Sequence, residues 1–242
     1  MKSDLRSKQQ RIAGLAAPIR AVAGNHAIAG STAVSITRAL IRHGASNQLA
    51  PFSGGNWGGR IPAGGPPNLR AFDPPPRQGS DPFGLNRVTA EFGRWVNATL
   101  GVRQVDAAID RMDYDEAHAM SLSNTDPYRL DHTDEIAHEA IRQGAGNCGY
   151  IASTAFSLMR HAAVAPIDLI LILPHSGTRL FRNHTVAVLG IPDVDGNQKV
   201  PPYEQWADVA VLADAWVDEQ SVPASLLAER WQGGAQTEDD VV

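Results

Sequence analysis

Cys148 is the only cysteine among 242 residues. A disulfide framework, a thiolate zinc site and an iron–sulfur cluster each need several, so all three are excluded. A single thiol is then either a small buried hydrophobe or a nucleophile, and its surroundings favour the nucleophile. The run Gln143-Gly144-Ala145-Gly146-Asn147-Cys148-Gly149-Tyr150 sets glycines on both sides, where backbone can approach another group closely. An amphipathic helix is predicted to begin at the cysteine and to run through Ile151, Ala155, Leu158 and Met159. A thiol at a helix N-terminus lies by the positive end of the dipole and by free N–H groups, and both favour the reactive thiolate.

A thiolate needs a base, and the chain offers eight histidines. His26 and His43 lie in the N-terminal segment, and His118, His132 and His138 precede the nucleophile in a helical stretch. His161 falls thirteen residues along the cysteine's own helix, about 20 Å away at ~1.5 Å per residue, too far to pair. His184 opens the strand-like run His-Thr-Val-Ala-Val-Leu189, and a strand edge holds an imidazole rigidly, so His184 is the expected base. His175, in the loop Pro174–Thr178, is the second choice. A third group should fix the imidazole tautomer. Asp214 ends the run Val209-Ala-Val-Leu-Ala213, expected to be a strand beside that of His184, and is the candidate; its other reading is a strand-end turn residue. Asp208 sits at the opposite end of that strand, ~20 Å away at ~3.3 Å per residue. Asp218 and Glu219 are expected to be solvated.

These residues need elements to position them. From Leu85 onward Val88, Phe92, Trp95, Val96 and Leu100 recur at three- and four-residue steps, predicting a helix. Further helices are expected over Val105–Ser121, Thr133–Arg142 and from Cys148. Strands are expected over Ile167–Leu173, His184–Leu189 and Val209–Ala213, with a turn at Asp193–Asn197 before the last. Helices first and an antiparallel sheet second reads as α+β.

Charge divides the chain. Residues 1–72 carry nine Lys/Arg and one acid, Asp4, while 73–242 carry twelve against twenty-five. Residues 1–50, with only weak helical periodicity around Ala27–His43, therefore read as a disordered basic leader for secretion or organelle targeting. Residues 51–84 hold eight Pro and eight Gly and read as a linker. The folded domain is expected over 85–232, able to fold without residues 1–84, with an acidic tail at 233–242. Its negative charge argues against nucleic-acid binding, and no apolar run reaches the ~20 residues of a membrane span. Asp193, Asp195, Asn197 and Glu204 imitate a calcium loop, but Gln198 replaces the required glycine and Pro201-Pro202 breaks the helix that should follow. His132, Asp134, Glu135 and His138 read as a solvated helix face. No metal and no cofactor is expected.

Gly-Asn-Cys-Gly opening a helix, a histidine starting a second strand, and Asp-Ala-Trp ending a third resemble the papain-fold, transglutaminase-like cysteine enzymes. The likeness is greatest to bacterial type III secreted effectors, and it covers roughly residues 130–220. Tyr150 stands where that family has an acidic residue, and Ala215 where it has proline. The resemblance implies Cys148, His184 and Asp214 as catalytic triad, with Gln143 or Asn147 as oxyanion donor. Gln143 is five residues before the cysteine, where papain-type enzymes place glutamine six before. It further implies a protein secreted by bacteria and acting on a host protein, with a secretion chaperone as a possible partner of the leader. Glutamine deamidation or proteolysis is the implied reaction, with transglutamination as a variant. The small domain without a prosegment favours deamidation. The competing class is a non-enzymatic binding effector on the same fold, with Cys148 structural.

Overall fold

Nine successive residues, Ile151 to Met159, are buried, and a helix buries such a run only when it is enclosed on every side. Small side chains (Ala152, Ser153, Thr154, Ala155 and Ser157) are interspersed with Ile151, Phe156, Leu158 and Met159, so neighbouring elements approach closely. In the computed structural model, which describes residues 2–44, 85–109, 127–172, 184–192 and 201–227, this helix is α6 (Cys148–His161). Packed against it are α1 (Lys2–Leu15), α2 (Ala17–Arg20), α3 (His26–Leu40) and α5 (Pro127–Gln143). The helix α4 (Leu85–Ile109) packs on α5.

The sheet supplies the remaining wall. Strands β1 (Ile167–Ile172), β2 (His184–Leu189), β3 (Val211–Ala213) and β4 (Val222–Pro223) are antiparallel neighbours in chain order. Successive side chains of a strand point to opposite faces, and β2 is covered on both. Ala187 and Leu189 join the helices in one core, while Val186 and Val188 join Ile170, Leu212, Trp206 and Leu227 in a second. The register sets Ile172 opposite His184 and Ala187 opposite Ala213, so the start of β2 and the end of β3 meet at one edge. The architecture is α+β, helices followed by an antiparallel sheet.

Over residues 2–44 the expected disordered leader gives way to three packed helices. Ile12, Ala16 and Ile19, then Ala29, Ala33, Val34 and Ile41, are buried in the same core as Leu158 and Met159. Asn25 starts α3 by accepting the Ile28 N–H at 3.1 Å, an N-cap that satisfies one of the orphan donors of the first turn. Burying a stripe at three- and four-residue spacing repays the ordering of a segment this poor in large side chains. The predicted break between two helices near residue 105 is absent as far as Ile109, because α4 continues to that residue. The linker 51–84, residues 110–121 of the second expected helix, the turn at 193–197 and the tail 233–242 lie outside the described residues.

Candidate active site

The loop before α6 is built from backbone. Gly144 ends α5 in the left-handed region (φ 63°), which glycine enters without penalty, and a side chain there would meet Arg42 and His43. That turn lets the Gly144 carbonyl accept the His43 N–H at 2.7 Å, and Gly146 N–H donates to the Gly44 carbonyl at 3.2 Å. The segment 43–44 thus clips onto the loop like a short strand. Asn147 is extended (φ −80°, ψ 178°), its carbonyl accepts from Ile151 N–H at 3.0 Å, and its side chain does not cap the helix. Cys148 is consequently the first residue of α6, half-buried, at the positive end of the dipole.

His184 is 2% exposed, and its Nε2 lies 2.7 Å from Asp214 Oδ2. Asp214 follows β3, and its second oxygen accepts the Trp216 N–H at 3.2 Å. The Asp214 carbonyl in turn accepts Asp218 N–H at 2.8 Å and Val217 N–H at 3.2 Å, closing a tight turn. The Trp216 ring stands 5.0 Å from the imidazole at an angle of 48° and walls it from solvent. Since Nε2 is bonded to Asp214, Nδ1 is the ring nitrogen left for the Cys148 sulfur, with which His184 shares a hydrogen bond. Cys148, His184 and Asp214 therefore form one connected group. Of the three, Cys148 is half-buried while His184 and Asp214 are buried.

The electrostatics favour an ion pair. Burial pushes the Cys148 thiol up, but the hydrogen bond and charge of His184, with the backbone groups of Thr185 and Gly149, outweigh it and hold the thiol below its ordinary value. Burial pushes His184 down, yet the charge and hydrogen bond of Asp214, joined by those of Cys148, raise it to about 9. The sign of the resulting pH dependence differs for the two groups. A histidine raised to about 9 contributes stability that is complete below about 6.5 and lost as the pH climbs through about 9. The depressed thiol contributes stability that is present above its unfolded value and lost as the pH falls. Between these limits a thiolate–imidazolium pair binds as many protons as an unfolded thiol and imidazole, so the two trends cancel. In Cys148→Ala only the histidine remains, raised by Asp214 alone and so to below about 9. Its stability is expected to fall as the pH climbs above about 6.5, where the wild type stays flat. Urea midpoints across that range check this; a Cys148→Ala midpoint that does not move would deny the imidazolium.

The oxyanion candidates sit apart in character. Gln143 ends α5 with its Cβ close to Gly101 of α4, and its buried Nε2 has no hydrogen-bond partner among the described residues. Asn147 directly precedes the nucleophile, and the Cys148 N–H beside it belongs to the first turn, whose N–H groups have no partner within the helix. His175 and His118 lie outside the described residues. His161 stands at the far end of α6, 3.0 Å from Asp134. Burial pushes His132 down to about 4, which leaves it neutral at pH 7.

Two expectations are corrected. Asp218 is buried rather than solvated, because its turn is covered by α3. The face of His132, Asp134, Glu135 and His138 is not a solvated one: Asp134 is fully buried and pairs with Arg160 and His161, joining α5 to α6. Sequence reasoning also missed Trp216 as the wall of the imidazole, and the bond from Tyr150 Oη to Asp106 that ties the first turn of α6 to α4. Among the described residues no three ligating side chains are grouped to hold a metal ion, and no helix is long and apolar enough to cross a membrane. An α+β fold with a half-buried cysteine, a buried histidine and a buried aspartate in one chain of hydrogen bonds is the class of site defined here. No family model, curated protein or solved structure matches the chain.

Proposed function

We propose that the protein is a thiol hydrolase acting on amide bonds of another protein, with Cys148 as nucleophile, His184 as acid–base and Asp214 as its orienting group. The observation that carries this reading is the 2.7 Å bond from buried His184 to Asp214, with the other ring nitrogen turned to a cysteine at a helix N-terminus. Sγ adds to the amide carbon, and the imidazolium Nδ1–H passes its proton to the departing nitrogen, leaving a thioester and free amine. Water then attacks the thioester as His184 takes its proton, and the thiolate leaves with a carboxylic acid formed. The backbone N–H of Cys148, with Asn147 or Gln143, receives the oxyanion.

A glutamine side chain gives deamidation and a peptide bond gives proteolysis, and we place deamidation first. Transglutamination is the same thioester resolved by an amine. The likeness to secreted bacterial effectors supplies the setting: delivery into a host cell and a host protein as substrate.

Intact-mass spectrometry after incubation with candidate proteins tests the reaction. A gain equal to NH exchanged for O marks deamidation, a fragment marks proteolysis and a joined product marks transglutamination. Cys148→Ala is expected to abolish each of these while costing only about 1 kcal/mol of stability at about pH 6, below the range where its histidine loses its proton, since truncating one half-buried thiol leaves a small cavity. Unfolding of that variant would instead make the cysteine structural.

A further inference from the structure

We propose that Arg38 is a positioning residue for this site: from α3 it holds the carbonyl of Asp218 and so fixes the turn that presents Asp214 to His184. The inference rests on the thiol-enzyme reading and adds to it a residue from the N-terminal helices. Arg38 Nη1 donates to the Asp218 carbonyl at 2.6 Å. That carbonyl belongs to the residue whose own N–H is bonded to Asp214, so the arginine grips the turn at its last residue and the aspartate begins it. A guanidinium of this kind loses hydration when it is partly buried, which lowers its affinity for its proton, and the acids Glu219, Asp218 and Asp214 offset only part of that loss. A second grip lies further along. Ser31 Oγ and Ser221 Oγ are 2.9 Å apart, Ser221 N–H donates to Ser31 Oγ at 3.2 Å, and Ser221 Oγ donates to the Ala27 carbonyl at 2.7 Å. Beyond its C-terminus the same helix leads into the segment 43–44 that clips the loop before Cys148. One helix therefore anchors both loops of the site.

Charge and position make opposite predictions, which makes the role measurable. The groups acting on His184 are Asp214 from the end of β3 and Cys148 from α6, while Arg38 of α3, bonded to the Asp218 carbonyl, lies in the field of Glu219, Asp218 and Asp214. As a bare cation Arg38 disfavours the imidazolium, so its removal would raise the histidine pKa. As a positioner it keeps Asp214 at bonding distance, so its removal lowers the histidine pKa and, by weakening the ion pair, raises the thiol pKa.

The test is the pH profile of Cys148 alkylation by iodoacetamide in the full chain, together with the His184 pKa followed by NMR of its ring protons, with thermal melts confirming the fold. Arg38→Met is expected to move the acid limb upward by about one unit, a loss of about tenfold in rate at pH values below the limb, and to lower the His184 pKa, which loss of a cation alone would raise. Arg38→Lys, which keeps a donor and the charge, is expected to recover most of it. If Arg38→Met melts below the assay temperature, Arg38→Gln is read the same way. An unmoved limb, a limb moved to lower pH, or a raised His184 pKa overturns the proposal. Absence of low-pH alkylation in the wild type would instead overturn the thiol-enzyme reading, and this proposal with it.

Discussion

Replacing His184 by alanine is expected to abolish the low-pH reactivity of Cys148. A free thiol with a pKa near 8.5 is thiolate to only roughly 0.3% at pH 6, whereas a thiolate paired with imidazolium persists far below its ordinary range. The alkylation rate at pH 6 should therefore drop by about a hundredfold, and the acid limb of the profile should move toward that of a free thiol. It should stop short, because the Thr185 and Gly149 backbone groups and the helix N-terminus still favour the thiolate. Asp214→Ala should fall between, since the carboxylate raises His184 without touching sulfur. His184→Ala/Asp214→Ala should be no worse than His184→Ala, because residues that act as a unit are not additive. A His184→Ala profile superimposable on the wild type would sink the assignment of that histidine.

The parts of this site that were legible in sequence were those with a period or a punctuation mark. Glycines around Cys148 marked the loop, the 3.6-residue period marked α6, and the alternating runs after Pro166 marked β1, β2 and β3 closely enough to set Asp214 beside His184. The N-terminal helices carried a period too, but it was written in alanine, glycine and threonine: Ala29, Gly30, Ala33, Val34 and Thr37 form the buried stripe of α3. Such residues add little to a hydropathy pattern, yet they let helices pack closely. The acid-free run reads as disordered only when its partners are unseen. In the fold Arg38 holds the Asp218 carbonyl in the field of Glu219, Asp218 and Asp214, and Arg20 donates to the His161 carbonyl. Its basic side chains complement an acidic body. The burial of Asp134 and Asp218 was equally invisible, because each depends on partners 26 or more residues away.

Removing residues 1–44 is expected to abolish cooperative folding, although the sequence by itself suggested a domain independent of everything before residue 85. Ile12, Ile19, Val34 and Ile41 are each no more than 1% exposed and share one core with Leu158 and Met159. Truncating a single isoleucine in such a place costs about 2–5 kcal/mol, against a total stability of about 5–15 kcal/mol for a domain. Ile19→Ala alone should therefore lower the melting temperature measurably, and the deletion, which uncovers a whole side of α6, removes several such contributions at once. It also removes the partners of the Asp218 carbonyl, of Ser221 and of the loop before Cys148. A fragment starting at residue 45 that melted with the cooperativity of the full chain would refute this packing. Loss of the transition in the fragment, together with a lowered but still cooperative melt in Ile19→Ala, would make the N-terminal helices part of the domain that holds the cysteine. On that outcome the basic segment cannot be detached as a leader without dismantling the site, because the helix that buries Val34 also carries Arg38.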